Sequence, residues 1–314
     1  MSYSKVIENF LRYVKVDTQS DDGEAHDVPS TGKQFDLAKL LYGELVELGA
    51  SDVRFDEGHC YVYAVLPSNL EQALDAPAIG FIAHIDTSPA VSGKEVKARV
   101  IENYGDGGML GDINYECFNA AAATLTVIGK SVHPGTAKGV MKNAVKLAYE
   151  FISALPDECP ENTEGYEGFY HVDDIRGNVE KVAAEYIIRD HDKTKFDERK
   201  EIFRKTAERL NETFGEGTFR VEMSDTYYNM REPIEKRMEV VDNLVRAMRR
   251  AGVEPDISPI RGGTDGARLS FDGLLCPNLC TGGDGFHGRN EYACVEDMEK
   301  VVEILLNLVV VPGR

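Results

Sequence analysis

Apolar residues near the start of the chain recur at helical spacing, with Val6, Ile7, Phe10, Leu11 and Val14 on one stripe, so the first element is predicted to be a surface helix. A second stripe, Phe35, Ala38, Leu41, Leu45 and Leu48, is preceded by Ser30 and Thr31 and stops at Gly49, the pattern of a capped amphipathic helix. Strand-like runs follow at 53–55 (VRF), 60–66 (CYVYAVL) and 76–86 (APAIGFIAHID). The third is almost continuously apolar, as in a strand buried on both faces of an α/β sheet, and it ends on the polar residues His84 and Asp86. Functional groups of open α/β sheets stand at such strand ends.

Beyond residue 112 the rhythm changes to strand 117–129, helix 139–155, two strands turning at Gly177 and Asn178, a charged amphipathic helix 194–215 and strand 217–228. The order β-α-β-β-α-β is the ferredoxin-like arrangement. A helix at 232–251, a short strand at DISPI, the loop RGGTDG opening a helix, the apolar run GLLCPNL, the loop TGGDGFHGRNEY and a closing helix 295–309 return to α/β signals. The predicted organisation is therefore one α/β domain built from residues 1–111 and 231–314, interrupted by an inserted ferredoxin-like α+β domain at 112–230. At 314 residues, two domains are expected in any case.

A net charge of −19 argues against nucleic acid or an anionic membrane surface as partner, because like charges repel. The first helix has no secretory core and no run of apolar residues is long enough to span a bilayer, so a cytoplasmic protein is expected. Six cysteines without a CxxC pair read as reduced thiols.

Four loops carry candidate chemistry. In AHIDTSP, His84 at a strand end with Asp86 two residues on suits a metal ligand oriented by a carboxylate, or equally a hydrogen-bonded strand end. His287 lies between glycines in GGDGFHGRNEY, accessible to metal or substrate or simply exposed. Arg261 in RGGTDGARLS has the planar fork that grips a carboxylate, in what is otherwise a glycine-rich strand-to-helix turn. His133, before Pro134 in SVHPGTAKG, is placed on a loop where it can donate to a carbonyl oxygen or stay solvated. There is no GxSxG, and no GxGxxG after a strand.

Taken together, GFIAHIDTSP, KSVHPGTAKGVMKNA, TEGYEGFYH, YIIRDHD, SDTYYNMRE, PIRGGTDGARLSFDGLLCPNL and TGGDGFHGRNEY resemble the peptidase T family, zinc tripeptide aminopeptidases of the M20 metallopeptidase clan. The likeness covers nearly the whole chain in order. It implies a zinc-peptidase α/β domain with a ferredoxin-like lid, two zinc ions per subunit, short peptides as substrates and a homodimer formed through the lid. Residue by residue, it implies His84 as a zinc ligand, Asp86 as the active-site aspartate and His287 as a ligand of the second zinc. His133 would polarise the scissile carbonyl, Arg189 and Arg261 would contact the peptide, and Asn119 and Asn143 would add lid contacts.

The chain departs from the family between Ile101 and Asn119, where IENYGDGGMLGDINYECFN stands in place of a GADDKAG-like motif with its bridging aspartate and a DEE-like motif with the general base. Asp106 falls either where a zinc ligand of the family belongs or at a turn of the junction; the spacing from DGG to NYECFNAA matches the ligand position. Without the bridging and basic carboxylates the α/β domain is incomplete and its apolar strands lose neighbours. Two functions stay open: a metallopeptidase with impaired activity, or a non-catalytic protein that binds peptides or dimerises.

Overall fold

The computed structural model describes residues 4–21, 27–70, 77–104 and 110–309; Asp106 lies outside the described residues. Two compact units emerge, Met1–Leu110 with Cys280–Arg314, and Gly111–Leu279.

The first unit begins with α1 (Lys5–Tyr13), α2 (Gln34–Glu47), β1 (Ser51–Asp56) and β2 (Tyr61–Val65), much as the hydrophobic pattern predicts. Tyr13 and Arg12 of α1 both reach Glu44 of α2, joining the two helices. Phe35 and Tyr42 of α2 pack on Phe55 of β1 with ring centroids 6.0 and 6.2 Å apart. β1 and β2 form an antiparallel two-stranded ribbon with Arg54 opposite Tyr63.

The expected strand at 76–86 does not form: its described residues, 77–86, belong to no strand, and Ile79, Phe81 and Ile82 are 44, 55 and 54% exposed. The reason is cooperative. A run this apolar is stable as a strand only with a hydrogen-bonded neighbour and cover on its faces, and among the described residues no strand pairs with it.

The second unit comprises β3 (Asp112–Asn114), β4 (Asn119–Ile128), α3 (Ala144–Ala154), β5 (Phe169–Gly177), β6 (Lys181–Asp190), α4 (Lys193–Phe214), β7 (Phe219–Tyr227), α5 (Arg231–Ile234), α6 (Glu239–Arg250), β8 (Asp256–Ile257), α7 (Asp265–Phe271) and β9 (Asn278–Leu279). Strands β5-β6-β4-β7 make one antiparallel sheet, which with α3 and α4 is the predicted ferredoxin-like domain. Alternation sends Leu125 and Val127 of β4 and Tyr186 and Ile188 of β6 into one core with Phe151 of α3 and Phe203 of α4. Phe203 sits edge-on to both Phe151 and Tyr186 at 4.9 Å, and burying each such ring contributes about 1.5–3 kcal/mol. Both helices start on side-chain caps: Asn143 accepts from the amides of Val145 and Lys146, and Asp192 from those of Thr194 and Lys195.

The domain boundary expected at 230 is displaced, since 231–279 pack with the ferredoxin-like domain instead of with the chain's end. β3, which leads straight into β4, pairs in parallel with β8 and antiparallel with β9, so the small sheet β8-β3-β9 holds the later segment in this unit. Asn229 reinforces it: its Oδ1 accepts from the amides of Cys117 and Arg231. Returning to the first unit, β10 (Gly283–Asp284) pairs with β11 (Tyr292–Ala293), and α8 (Val295–Val309) closes the described chain.

Candidate functional site

In the first unit His84 and Asp86 do meet. The ring Nδ1 of His84 lies 3.0 Å from Asp86 Oδ1 and 2.9 Å from the Asp86 carbonyl, which makes Nδ1–H the donor and leaves Nε2 as the free lone pair. That is the orientation a metal-binding imidazole needs. The segment is anchored by Gln19, a residue the sequence did not single out: Gln19 bridges in parallel to Thr87, and its side-chain amide donates to the carbonyls of Pro89 and Val91, each at 3.1 Å. Thr31 fixes Gln19 in turn, its hydroxyl donating to the Gln19 carbonyl at 2.8 Å. His287 is exposed and takes φ 62°, the left-handed region, at the tip of the turn between β10 and β11.

Two zinc ions are implied by the resemblance, and a catalytic zinc takes three protein ligands. The donors do not fit: among the described residues no three His, Cys, Asp or Glu side chains converge. The Asp86 carboxylate beside His84 already holds Nδ1, the ring nitrogen opposite the free lone pair.

In the second unit His133 is exposed and caps the turn Pro134–Thr136; its Nδ1 accepts from the Gly135 amide at 3.1 Å. With Nδ1 accepting, the neutral ring carries its proton on Nε2, a donor pointing to solvent and suited to a carbonyl oxygen.

Arg261 is engaged within the unit. Its Nη1 donates to the carbonyls of Gly165 and Glu167 and its Nη2 to Thr163 Oγ1, all at 2.9 Å. The guanidinium also lies over Phe118 and Phe169, at 5.2 and 5.6 Å from the ring centroids. It thus clamps the loop before β5, and its fork is largely spent there.

Arg189 differs. It is half-buried over Phe169 at 5.9 Å, and its Nε is buried without a hydrogen-bond partner among the described residues. Beside it stands Tyr227, whose hydroxyl is likewise buried and unpartnered. Burial pushes the Tyr227 phenol up from its ordinary pKa, and the Arg189 charge offsets part of this.

The two asparagines expected as lid contacts have other tasks. Asn119 is buried, donating from Nδ2 to the carbonyls of Asp190 and His191 at 3.1 and 3.0 Å and accepting at Oδ1 from the Asn229 amide at 3.0 Å. These three bonds use the capacity a substrate contact would need. Asn143 is the cap of α3 already described. His191, which sequence reasoning passed over, packs on Phe118 at 4.0 Å and Tyr166 at 5.0 Å, with Nε2 3.3 Å from the Ile260 carbonyl. Burial pulls its pKa down, so the neutral ring is the folded form. The signal for it was faint: a polar pair, His191 and Asp192, directly after an alternating strand.

Residues 115–218 match the M20 peptidase dimerisation domain. A peptidase T from Clostridium perfringens is 41% identical over 403 aligned positions, covering 97% of this chain and 98% of the relative. One from Alkaliphilus oremlandii is 39% identical with the same coverage, and one from Bacillus licheniformis 38% identical with 98% of each covered. Since the first alignment spans 403 positions and the chain has 314 residues, at least 89 of those positions, 403 less 314, have no residue of this chain opposite them. The crystal structures of aminopeptidase PepT from Bacillus cereus and a tripeptidase from Staphylococcus aureus share the fold, with TM-scores of 0.75 and 0.76 at 17% identity and 97% of each chain covered. With such relatives matched along almost its whole length, the chain belongs to the peptidase T family of M20 peptidases, as a shortened member that keeps the dimerisation domain.

Proposed function

We propose that the chain binds short peptides and self-associates through its ferredoxin-like domain, with the tripeptidase chemistry of the family lost or strongly reduced. The observation that carries this reading is the contrast between its two parts. The unit bearing His133, Arg189 and Arg261 has a continuous four-stranded sheet and a filled core. The segment bearing His84 is left without a strand partner among the described residues, its apolar side chains turned to solvent. The sequence adds a chemical reason, because neither the bridging aspartate nor the paired glutamates of the family stand between Ile101 and Asn119. Water activation by a dizinc centre needs a carboxylate to hold the ions together and a base to accept the proton.

Four measurements on the full chain test the proposal: calorimetric binding of a tripeptide, its hydrolysis with added zinc, metal content, and sedimentation. Peptide binding and a dimer, with turnover at least a thousandfold below an intact family enzyme, are expected, in line with the loss of a general base together with its metal. Turnover equal to that of an intact enzyme with two zinc ions bound would restore the alternative, a working tripeptide aminopeptidase. The 38 to 41% identity to peptidase T proteins is what favours that alternative.

A further inference from the structure

A cleft of about 410 Å³ opens in the second unit between the loop 157–168 and the first turns of α4. That is at the small end of the about 300–1,000 Å³ usual for sites that take small molecules. It is a different place from the residues considered above, since His133, Arg189 and Arg261 do not line it. Lys195 and Arg199 stand four residues apart on α4, hence on one face of the helix, and line the cleft from that side. Asp157 and Glu167 line it from the loop.

Both sides are held by bonds that leave charged atoms unspent. Arg199 lies over Tyr170 at 5.5 Å, with Nε donating to Asp190 at 2.7 Å and Nη1 to Glu158. Its Nη2 has no acceptor among the described residues and is not enclosed, so the fork keeps one donor in a fixed position, open to solvent. Gly168 permits this placement: a Cβ there would come within 2.3 Å of Asp190 Oδ2 and 2.6 Å of Arg199 Nε. On the loop, Asn162 accepts from the Cys159 amide at 2.8 Å and donates to the Asp157 carbonyl at 3.0 Å, and Thr163 donates to the Cys159 carbonyl at 2.8 Å. Lys195 Nζ and the Asp157 carboxylate make no hydrogen bond or ion pair among the described residues.

The charges select the ligand. Four carboxylates, those of Asp157, Glu158, Glu167 and Asp190, line the cleft with two cations, Lys195 and Arg199, so a simple anion is repelled. A simple cation would leave Lys195 Nζ and Arg199 Nη2 unmet. A small molecule with one charge of each sign answers both. We propose that the cleft is a binding site for a free α-amino acid, its carboxylate accepting from Lys195 Nζ and Arg199 Nη2 and its ammonium donating to the Asp157 carboxylate and to Glu167 Oε1. The other oxygen of Glu167 is already taken by the Glu164 amide, at 3.0 Å, which holds that side chain in place. The site is independent of the peptide-binding reading above and stands or falls without it.

The test is calorimetric titration of the full chain with L-serine, with L-serinamide, which lacks the carboxylate, and with N-acetyl-L-serine, which lacks the ammonium. Wild type is expected to bind serine with a Kd of about 1 mM or tighter, and each derivative about tenfold more weakly. Lys195→Gln and Asp157→Asn alter exposed side chains that have no partner, so both variants should melt within a few degrees of wild type. Each should weaken serine about tenfold, as loss of one hydrogen bond between charged groups requires. Lys195→Gln should leave the affinity for the amide unchanged, and Asp157→Asn that for the N-acetyl form. No binding of serine up to about 10 mM, or serine and both derivatives binding alike, would overturn the assignment. So would serine held undiminished by both variants, since the amino acid would then lie elsewhere on the chain.

Discussion

Replacing Asn119 by alanine separates a substrate contact from a structural one. In the fold, Asn119 Oδ1 is the acceptor for the Asn229 amide, and Nδ2 serves the carbonyls of Asp190 and His191. His191 O keeps a second donor, Asn229 Nδ2 at 3.2 Å, so the largest loss falls on the Asn229 amide, with a smaller one at Asp190. Asn119 is 3% exposed and Asn229 8%, so water does not step in freely. One buried unsatisfied donor costs about 1–3 kcal/mol, and the weakened carbonyl adds a fraction of that, for a total of about 2–3 kcal/mol. In a unit of this size each kcal/mol lowers the melting temperature by about 2–4 °C, so a fall of roughly 5–10 °C is expected. Near-ultraviolet circular dichroism during a thermal scan follows it, since tyrosines and phenylalanines fill the adjacent core. A melting temperature within about 2 °C of wild type, together with weakened peptide affinity, would refute the argument and return Asn119 to the list of peptide contacts.

Four further outcomes are expected. His191 has its pKa lowered by burial, so on acidification through about 6.5 the unfolded chain takes up the proton first; stability should fall with pH until the folded pKa is reached, and His191→Gln should flatten that slope in thermal scans at successive pH values. Asp112 has its pKa raised, by burial first and then by Asp256 opposite it, so its contribution is favourable only below the unfolded value and is lost as pH rises through the folded one; Asp112→Asn should raise the melting temperature at pH about 7 and make no difference at low pH. Phe81→Ser with Ile82→Ser should change stability by no more than about 0.5 kcal/mol and lower the fluorescence of a bound hydrophobic dye, whereas a large loss of stability would mean that these side chains are packed. Gly263→Ala should cost about 1–3 kcal/mol by chemical denaturation, because the new methyl meets the rigid Tyr227 ring.

What the sequence made legible follows physical range. The ferredoxin-like domain could be read almost element by element, because strand alternation in 181–190 and the long amphipathic stripe of 193–214 are local signals that its own core then satisfies. The strand expected at 76–86 failed for the opposite reason: apolarity says that a segment wants burial, but a partner must supply it. Side-chain tasks divide the same way. His84 with Asp86 was readable because the two are neighbours in sequence. Gln19 was not, because it acts on a residue about seventy positions away, Pro89. Arg261 showed its type but not its use, which depended on where the carbonyls of Gly165 and Glu167 would fall.

The small sheet β8-β3-β9 has one more consequence. Ile113, just inside the start of the second unit, is paired with Leu279 at its finish, so the two ends of a stretch of chain that holds its own core are one strand spacing apart, about 5 Å. Such a stretch behaves as a cassette. Its ends can be spliced into an exposed turn of an unrelated host without prising that turn open, and the closure entropy the host must supply is small.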